Sequence, residues 1–295
     1  MTRHCTGSIH LEGKRTVVSQ IISALTRAIL VALLVATPAL VLPSIAVDTA
    51  QMVVVIAILF SLLTFIEYFG RYPSIVEFRF APPFNRLKFL ALLAVILSLS
   101  FICRGLTDPT PLTVIITHVG NRVADLLDFP FSPVRLIVLM LPADTSVGEV
   151  ALVRVAGAVS YCVSLLMVFA FVVMVRLLGW PMRNGAFNVW VNLPLFDPTR
   201  GGDIVERLKR DAALNIVLGI LLPFLIPAVV KAASFVIDPV AFDSHQTLIW
   251  TMTVWALLPA SILMRGIALM RVSELIEEKR RRVYAKAEAE AMQRT

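Results

Sequence analysis

AQMVVVIAILFSLLTFIEYF, residues 50–69, is followed by GRYPSIVEFRFAPPFNRLK, residues 70–88, and then by FLALLAVILSLSFICR, residues 89–104. The first stretch carries a single charge, Glu67, and is long enough to cross about 30 Å of hydrocarbon as a helix. Its run Met52–Phe60 is apolar throughout, without the alternation a membrane β-barrel strand shows. Lipid cannot satisfy an open backbone, so a helix is the remaining form. The connector is basic and aromatic, and the chain turns from it straight into a second apolar stretch.

Working outward, the same alternation fills the chain. Hydrophobic residues make up 58% and mean hydropathy is +0.84, against roughly 45–50% apolar in soluble domains. The pattern predicts an all-α polytopic membrane protein with six spans, near 21–43, 50–69, 88–105, 150–178, 212–236 and 247–270. Residues 1–270 then form the bundle, and 271–295 form a charged helical tail.

Basic residues test the count of spans. Arg3, Lys14 and Arg15 precede the first span; Arg71, Arg79, Arg86 and Lys88 follow the second. Arg183, Arg200, Arg207, Lys209 and Arg210 follow the fourth. The tail holds Arg271, Lys279, Arg280, Arg281, Arg282, Lys286 and Arg294. These are nineteen of the 27 Lys and Arg residues, and the other three connections hold only Arg122 and Arg135. The positive-inside rule predicts both termini in the cytoplasm, and the chain's compactness with so clean a charge rule points to a bacterial-type inner membrane. One span more or fewer destroys the alternation. Ser44-Ile45-Ala46 resembles a signal cleavage site, but the apolar region before it exceeds the usual 7–15 residues, which predicts a retained signal anchor. The net charge of +7 needs no nucleic acid to explain it.

Between spans three and four, Asp108-Pro109-Thr110-Pro111 reads as a helix start. Leu112, Ile115, Ile116, Val119, Val123, Leu126 and Leu127 then recur at helical spacing, with Asn121, Arg122 and Asp125 on another face. This predicts an amphipathic helix on the outer membrane surface. Val134–Leu141 is apolar but too short to span, and reads as a lid over the bundle or a re-entrant piece. In the tail, Glu277 with Arg281 and Glu278 with Arg282 have the spacing of helix ion pairs.

The two large basic connections share a pattern. Phe78-Arg79-Phe80-Ala81-Pro82-Pro83-Phe84-Asn85 precedes Arg86-Leu87-Lys88, and Trp190-Val191-Asn192-Leu193-Pro194-Leu195-Phe196-Asp197 precedes Arg207-Leu208-Lys209. Either spans 2–3 and 4–5 are a duplicated parallel pair, or basic aromatic loops have converged. Phe78, Phe80, Phe84, Trp190 and Phe196 are candidate partner-docking residues, because aromatic and Arg side chains are enriched at interface centres.

Chemistry is sought among charges at the membrane level, where they are costly. Arg27, Glu67, Arg154, Lys231 and Arg265 are the candidates, with Glu67 expected to pair with Arg27 or Arg265. No carboxylate falls mid-membrane, which argues against proton or sodium coupling. His4, His10, His118 and His245 all lie outside the spans, and Cys5, Cys103 and Cys162 have no metal spacing. No catalytic residue, metal or cofactor is implied. Ala156, Ser160 and Ser164 put small residues on one face of span four, which favours close helix approach. Pro38 and Pro43 in span one, Pro223 and Pro227 in span five and Pro259 in span six can kink their helices. The sequence predicts an integral, non-catalytic scaffold, accessory or assembly subunit whose partners are the lipid bilayer and other membrane proteins or further copies of itself. A small transporter or channel is the alternative.

Overall fold

The computed structural model describes residues 5–43, 47–70, 74–181, 189–197, 201–234, 242 and 244–293. Among them it holds only helices: α1 Cys5–Val41, α2 Val47–Phe69, α3 Phe84–Gly105, α4 Pro111–Leu127, α5 Pro133–Met140, α6 Val147–Leu177, α7 Val189–Asn192, α8 Ile204–Ala233 and α9 His245–Met292. Six of these, α1, α2, α3, α6, α8 and α9, are long and apolar enough to cross a membrane. The chain is a multi-pass membrane protein in contact with lipid. The end carrying the Lys/Arg-rich connections is called here the basic end, and the opposite one the far end.

Helices overrun the apolar segments at the basic end. α3 begins at Phe84, α8 at Ile204, and α9 continues without a break to Met292. Hydropathy marks where lipid ends, whereas a helix continues for as long as its backbone bonds are made. The two Arg-Leu-Lys triplets therefore fall inside the first turns of α3 and α8.

α3, α6 and α9 form the middle of the bundle. α2 packs on α1, and α8 packs on α9 over its length, so α2 and α8 carry the lipid-facing surface. α6 turns one stripe inward, Val153, Gly157, Ser160, Ser164, Met167, Phe171 and Val175, at the three- and four-residue spacing of a helix face. The expected packing residues lie on its buried side. Ala156 is buried, Ser160 donates to the Ala156 carbonyl at 2.8 Å, and Ser164 donates to that of Tyr161 at 2.7 Å.

The far end is covered by α4 and α5. Thr110 caps α4 in a reciprocal box with Thr113. α4 presents three faces rather than the two its amphipathic pattern suggests. Thr113, Gly120 and Ala124 are buried against α3 and α6, Leu112, Ile115, Val119 and Leu126 are exposed, and Asn121, Arg122 and Asp125 form the polar side. The small residues let α4 approach the bundle, with Ile116, Val123 and Leu127 partly buried against the core, so only Leu112, Ile115, Val119 and Leu126 of the stripe are left facing outward. α5 is a wedge: Val134 and Ile137 are buried, and the helix packs on α6 and α8.

Candidate functional site

The two long connections at the basic end build one joint. Glu67, at the end of α2, accepts the backbone N–H groups of Ser74, Ile75 and Val76 at 3.1–3.2 Å, together with the Ser74 hydroxyl. Arg79 returns the arrangement by donating to the carbonyls of Glu67, Tyr68 and Gly70, the orphan acceptors that end α2. Arg27 lies 4.5 Å from the centre of the Tyr68 ring and also bonds Ser23 of its own helix. The expected pairing of Glu67 with Arg27 or Arg265 is therefore replaced. The Glu67 carboxylate is occupied by the folded-back segment 74–76.

That fold-back carries Glu77 to α9. Arg265 grips it with Nε to Oε2 at 2.6 Å and Nη2 to Oε1 at 2.9 Å. A two-pronged guanidinium–carboxylate pair fixes geometry as well as charge. Buried as it is, with only 9% of the Glu77 side chain exposed, it acts as a restraint on position more than as a source of stability.

The connections then hydrogen-bond to each other. Phe78 N–H donates to the Asn192 carbonyl at 2.7 Å and Phe80 N–H to Asn192 Oδ1 at 3.0 Å. Trp180 Nε1 donates to the Ala81 carbonyl at 3.1 Å. Phe78, Phe84, Phe171 and Trp180 form a ring cluster with centroids 4.6–6.1 Å apart. Phe78 has φ of +54°, a left-handed backbone rare for a bulky residue, and its bond to Asn192 helps hold it there.

This geometry corrects the docking assignment for three aromatics. Phe78 and Phe84 are 1% exposed and Phe196 is 6% exposed, so none of them faces outward. They close the joint because a short apolar-aromatic loop next to another buries more surface against it than against water. Phe80 is 53% exposed, with Arg79 over its ring at 4.9 Å. The side chain of Trp190 lies outside the described residues. The shared pattern does extend to local structure. Phe84 N–H bonds the carbonyl of Ala81 and Phe196 N–H that of Leu193, and a cation sits on each ring, Lys88 at 4.3 Å and Arg207 at 4.8 Å.

α9 leaves the joint as an arm. Lys209 reaches Glu277 at 2.6 Å and Arg280 reaches Asp203 at 2.9 Å, so Glu277 serves an interhelix contact where the i,i+4 pattern suggests Arg281. The Arg280 hydrogen bond holds the Asp203 carboxyl below the usual carboxylate range. From Glu278 through Gln293 every residue is exposed.

At the far end, Arg154 pairs with Asp125 at 3.1 Å and Asp128 at 3.5 Å, and Arg135 pairs with Asp128 at 2.8 Å. Lys231 Nζ donates to the Leu141 carbonyl at 3.2 Å. Arg154 and Lys231 tie α4 and α5 to the bundle, and Arg135 ties α5 to the end of α4. Among the described residues no three His, Cys, Asp or Glu side chains converge as a metal site would require.

Two features escaped the sequence reading. Gly219 of α8 lies against the backbone of Leu263, and Gly266 of α9 against the Ala212 carbonyl. Glycines within spans were the available signal, but one glycine per helix does not make a repeating pattern. The second is a cleft of about 770 Å³ between α1, α2, α3 and the start of α9. Leu34, Met52, Ile56, Phe89 and Val254 are among its walls, and Thr49, Ser244, Gln246 and Thr247 form a polar rim at the far end. No protein-family model, curated protein or solved structure matches the chain.

Proposed function

We propose that the chain is a non-catalytic scaffold or accessory subunit of a larger membrane assembly, in a bacterial-type inner membrane with both termini in the cytoplasm. The arm of α9 carries this reading. Sixteen consecutive exposed residues, 278–293, extend about 24 Å at 1.5 Å per residue, with Arg281 and Arg282 near its root and Lys286 and Glu290 3.8 Å apart further out. A rigid, charged helix fused to a span is a suitable handle for a partner on that side of the membrane. The interior supports the same reading. The buried hydroxyls of Ser160, Ser164 and Thr253 bond carbonyls of their own helices, as in a dry bundle, with Ser100 Oγ, buried and without a partner among the described residues, the exception.

Ending the chain after Glu277 tests it. The shortened protein is expected to keep the melting temperature of the full chain in mild detergent while the native assembly shrinks to the bundle alone. An unchanged assembly after truncation refutes the arm as the handle. A full-length chain that purifies alone and carries a solute into liposomes refutes the scaffold reading in favour of a transporter.

Orientation is tested with two cysteines. Phe131 is 85% exposed at the far end and Met292 is 76% exposed on the arm. In intact cells an impermeant maleimide is expected to label Phe131→Cys, and to label Met292→Cys only after lysis. The opposite pattern inverts the topology.

A further inference from the structure

The cleft between α1, α2, α3 and α9 is shaped for an amphiphile. Its rim lies at the far end, where α2 and α9 begin, and Phe60 of α2 lies on its wall. Phe60 is about 20 Å along the helix from Val47, at 1.5 Å per residue, so the cleft runs from the interface to beyond mid-membrane. Its volume falls within the range of about 300–1,000 Å³ common for small-molecule sites.

The rim narrows the choice of head group. Thr49, Ser244, Gln246 and Thr247 place hydroxyls and a carboxamide and no charge at the rim. The Ser244 and Thr247 hydroxyls bond each other at 2.8 Å where Ser244 caps α9, which leaves Thr49 and Gln246 as the groups open to a ligand. Gln246 Oε1 is buried and has no hydrogen-bond partner among the described residues. A buried polar atom without a partner is unfavourable, and a half-turn of the carboxamide that brings it to a ligand at the rim removes the penalty. The nearest charges in sequence are both carboxylates, Asp48, exposed in the first turn of α2 beside Thr49, and Asp243, which precedes Ser244. A carboxylate there repels a phosphodiester head and does not repel a neutral one. A hydroxyl both donates and accepts, so it pairs with a carboxamide in either orientation.

We propose that the cleft is a binding site for a neutral lipid bearing a free hydroxyl, with one hydrocarbon chain lying between α1, α2 and α3 and the hydroxyl bonded to Gln246. This site is separate from the joint and the arm, and its occupancy does not depend on the scaffold reading. The lipid is selected by the rim, whereas phospholipid on the outer face of α2 is solvent.

The test uses the intact protein in phosphatidylcholine liposomes with two photoreactive probes that carry the same diazirine-labelled acyl chain. One is a diacylglycerol and the other a phosphatidylglycerol. The diacylglycerol is expected to label cleft residues such as Phe60 and Val254, and the phosphatidylglycerol to label them far less. Gln246→Leu is expected to reduce cleft labelling by the diacylglycerol about tenfold, the worth of one hydrogen bond to a buried group, and to leave labelling of the outer face of α2 unchanged. Val254→Trp fills the cleft from a half-exposed position and is expected to abolish cleft labelling with the melting temperature retained. Equal labelling of the cleft by both probes, or labelling indifferent to Gln246→Leu, overturns the proposal. Since Gln246→Leu alters one side chain at the rim, it decides the matter even if Val254→Trp fails to fold.

Discussion

Gly219→Ala, a change of one methyl group, is expected to destabilise the protein by about 3 kcal/mol, the upper end of what overpacking costs. A Cβ at this position would lie 2.6 Å from Leu263 Cβ, 2.7 Å from its nitrogen and 2.8 Å from its Cα. Two of those atoms are backbone and cannot swing aside, so α8 must move away from α9 along their shared face. Alanine is the better helix former by about 1 kcal/mol, and the clash outweighs that gain. Gly157 is the control. A Cβ there meets Ile137, Met252 and Trp255 at 3.6–3.9 Å, ordinary contact distances. Gly157→Ala is therefore expected to be neutral or stabilising by up to about 1 kcal/mol, from the same propensity difference. Thermal unfolding of the two variants in one detergent checks both. A Gly219→Ala protein that melts at or above the parent temperature removes the close α8–α9 contact from the account.

Trp180→Ala is expected to cost about 3–5 kcal/mol, the usual range for emptying a large buried aromatic site. The indole touches Phe78, Phe84 and Phe171 and donates the bond that ties one connection to the other at Ala81. Its loss leaves a cavity and an unpaired carbonyl at once. Trp180→Phe keeps most of the volume and loses the bond, so about 1–3 kcal/mol is expected. Phe80→Ala, at an exposed ring, is expected to change stability little. Melting curves together with protease sensitivity of segment 74–83 read the difference. If Trp180→Ala melts like the parent, the joint is not what holds the two connections together.

The α8–α9 contact has a companion at the second proline of α8. Pro227 has no N–H, so the carbonyl of Pro223 four residues earlier has no helical partner. Trp255 Nε1 of α9 supplies one at 3.2 Å. The prolines were legible as possible kinks. That a tryptophan of another helix completes one of them was not, because nothing in the local sequence points from residue 223 to residue 255.

The charges at the membrane boundary show the same division. Arg27, Glu67, Arg154, Lys231 and Arg265 were identifiable as boundary residues from position alone. Their partners were not. Glu67 is taken by backbone N–H groups, Arg265 by Glu77, Arg154 by Asp125 and Asp128, and Lys231 by a carbonyl of the far-end wedge. Sequence spacing narrows partners within one helix, where three or four residues make a neighbour. It says little about a loop that folds back, and the conformation of segment 74–83 decided which carboxylate reached α9.

The amino-acid sequence by itself determined that this is a helical membrane protein with six long apolar helices, where the polar connections fall, and that α4 is amphipathic behind the turn at Thr110. Each of these follows from a local quantity, the transfer free energy of some twenty consecutive residues or the periodicity of one segment. Only the tertiary structure decided that the aromatics of the two connections close on one another, that Gly219 and Gly266 set the approach of α8 to α9, and that a cleft with a polar rim remains between α1, α2, α3 and α9. These depend on which surfaces meet across long stretches of chain. In lipid, where the apolar faces are nearly equivalent, close packing and a few hydrogen bonds make that choice.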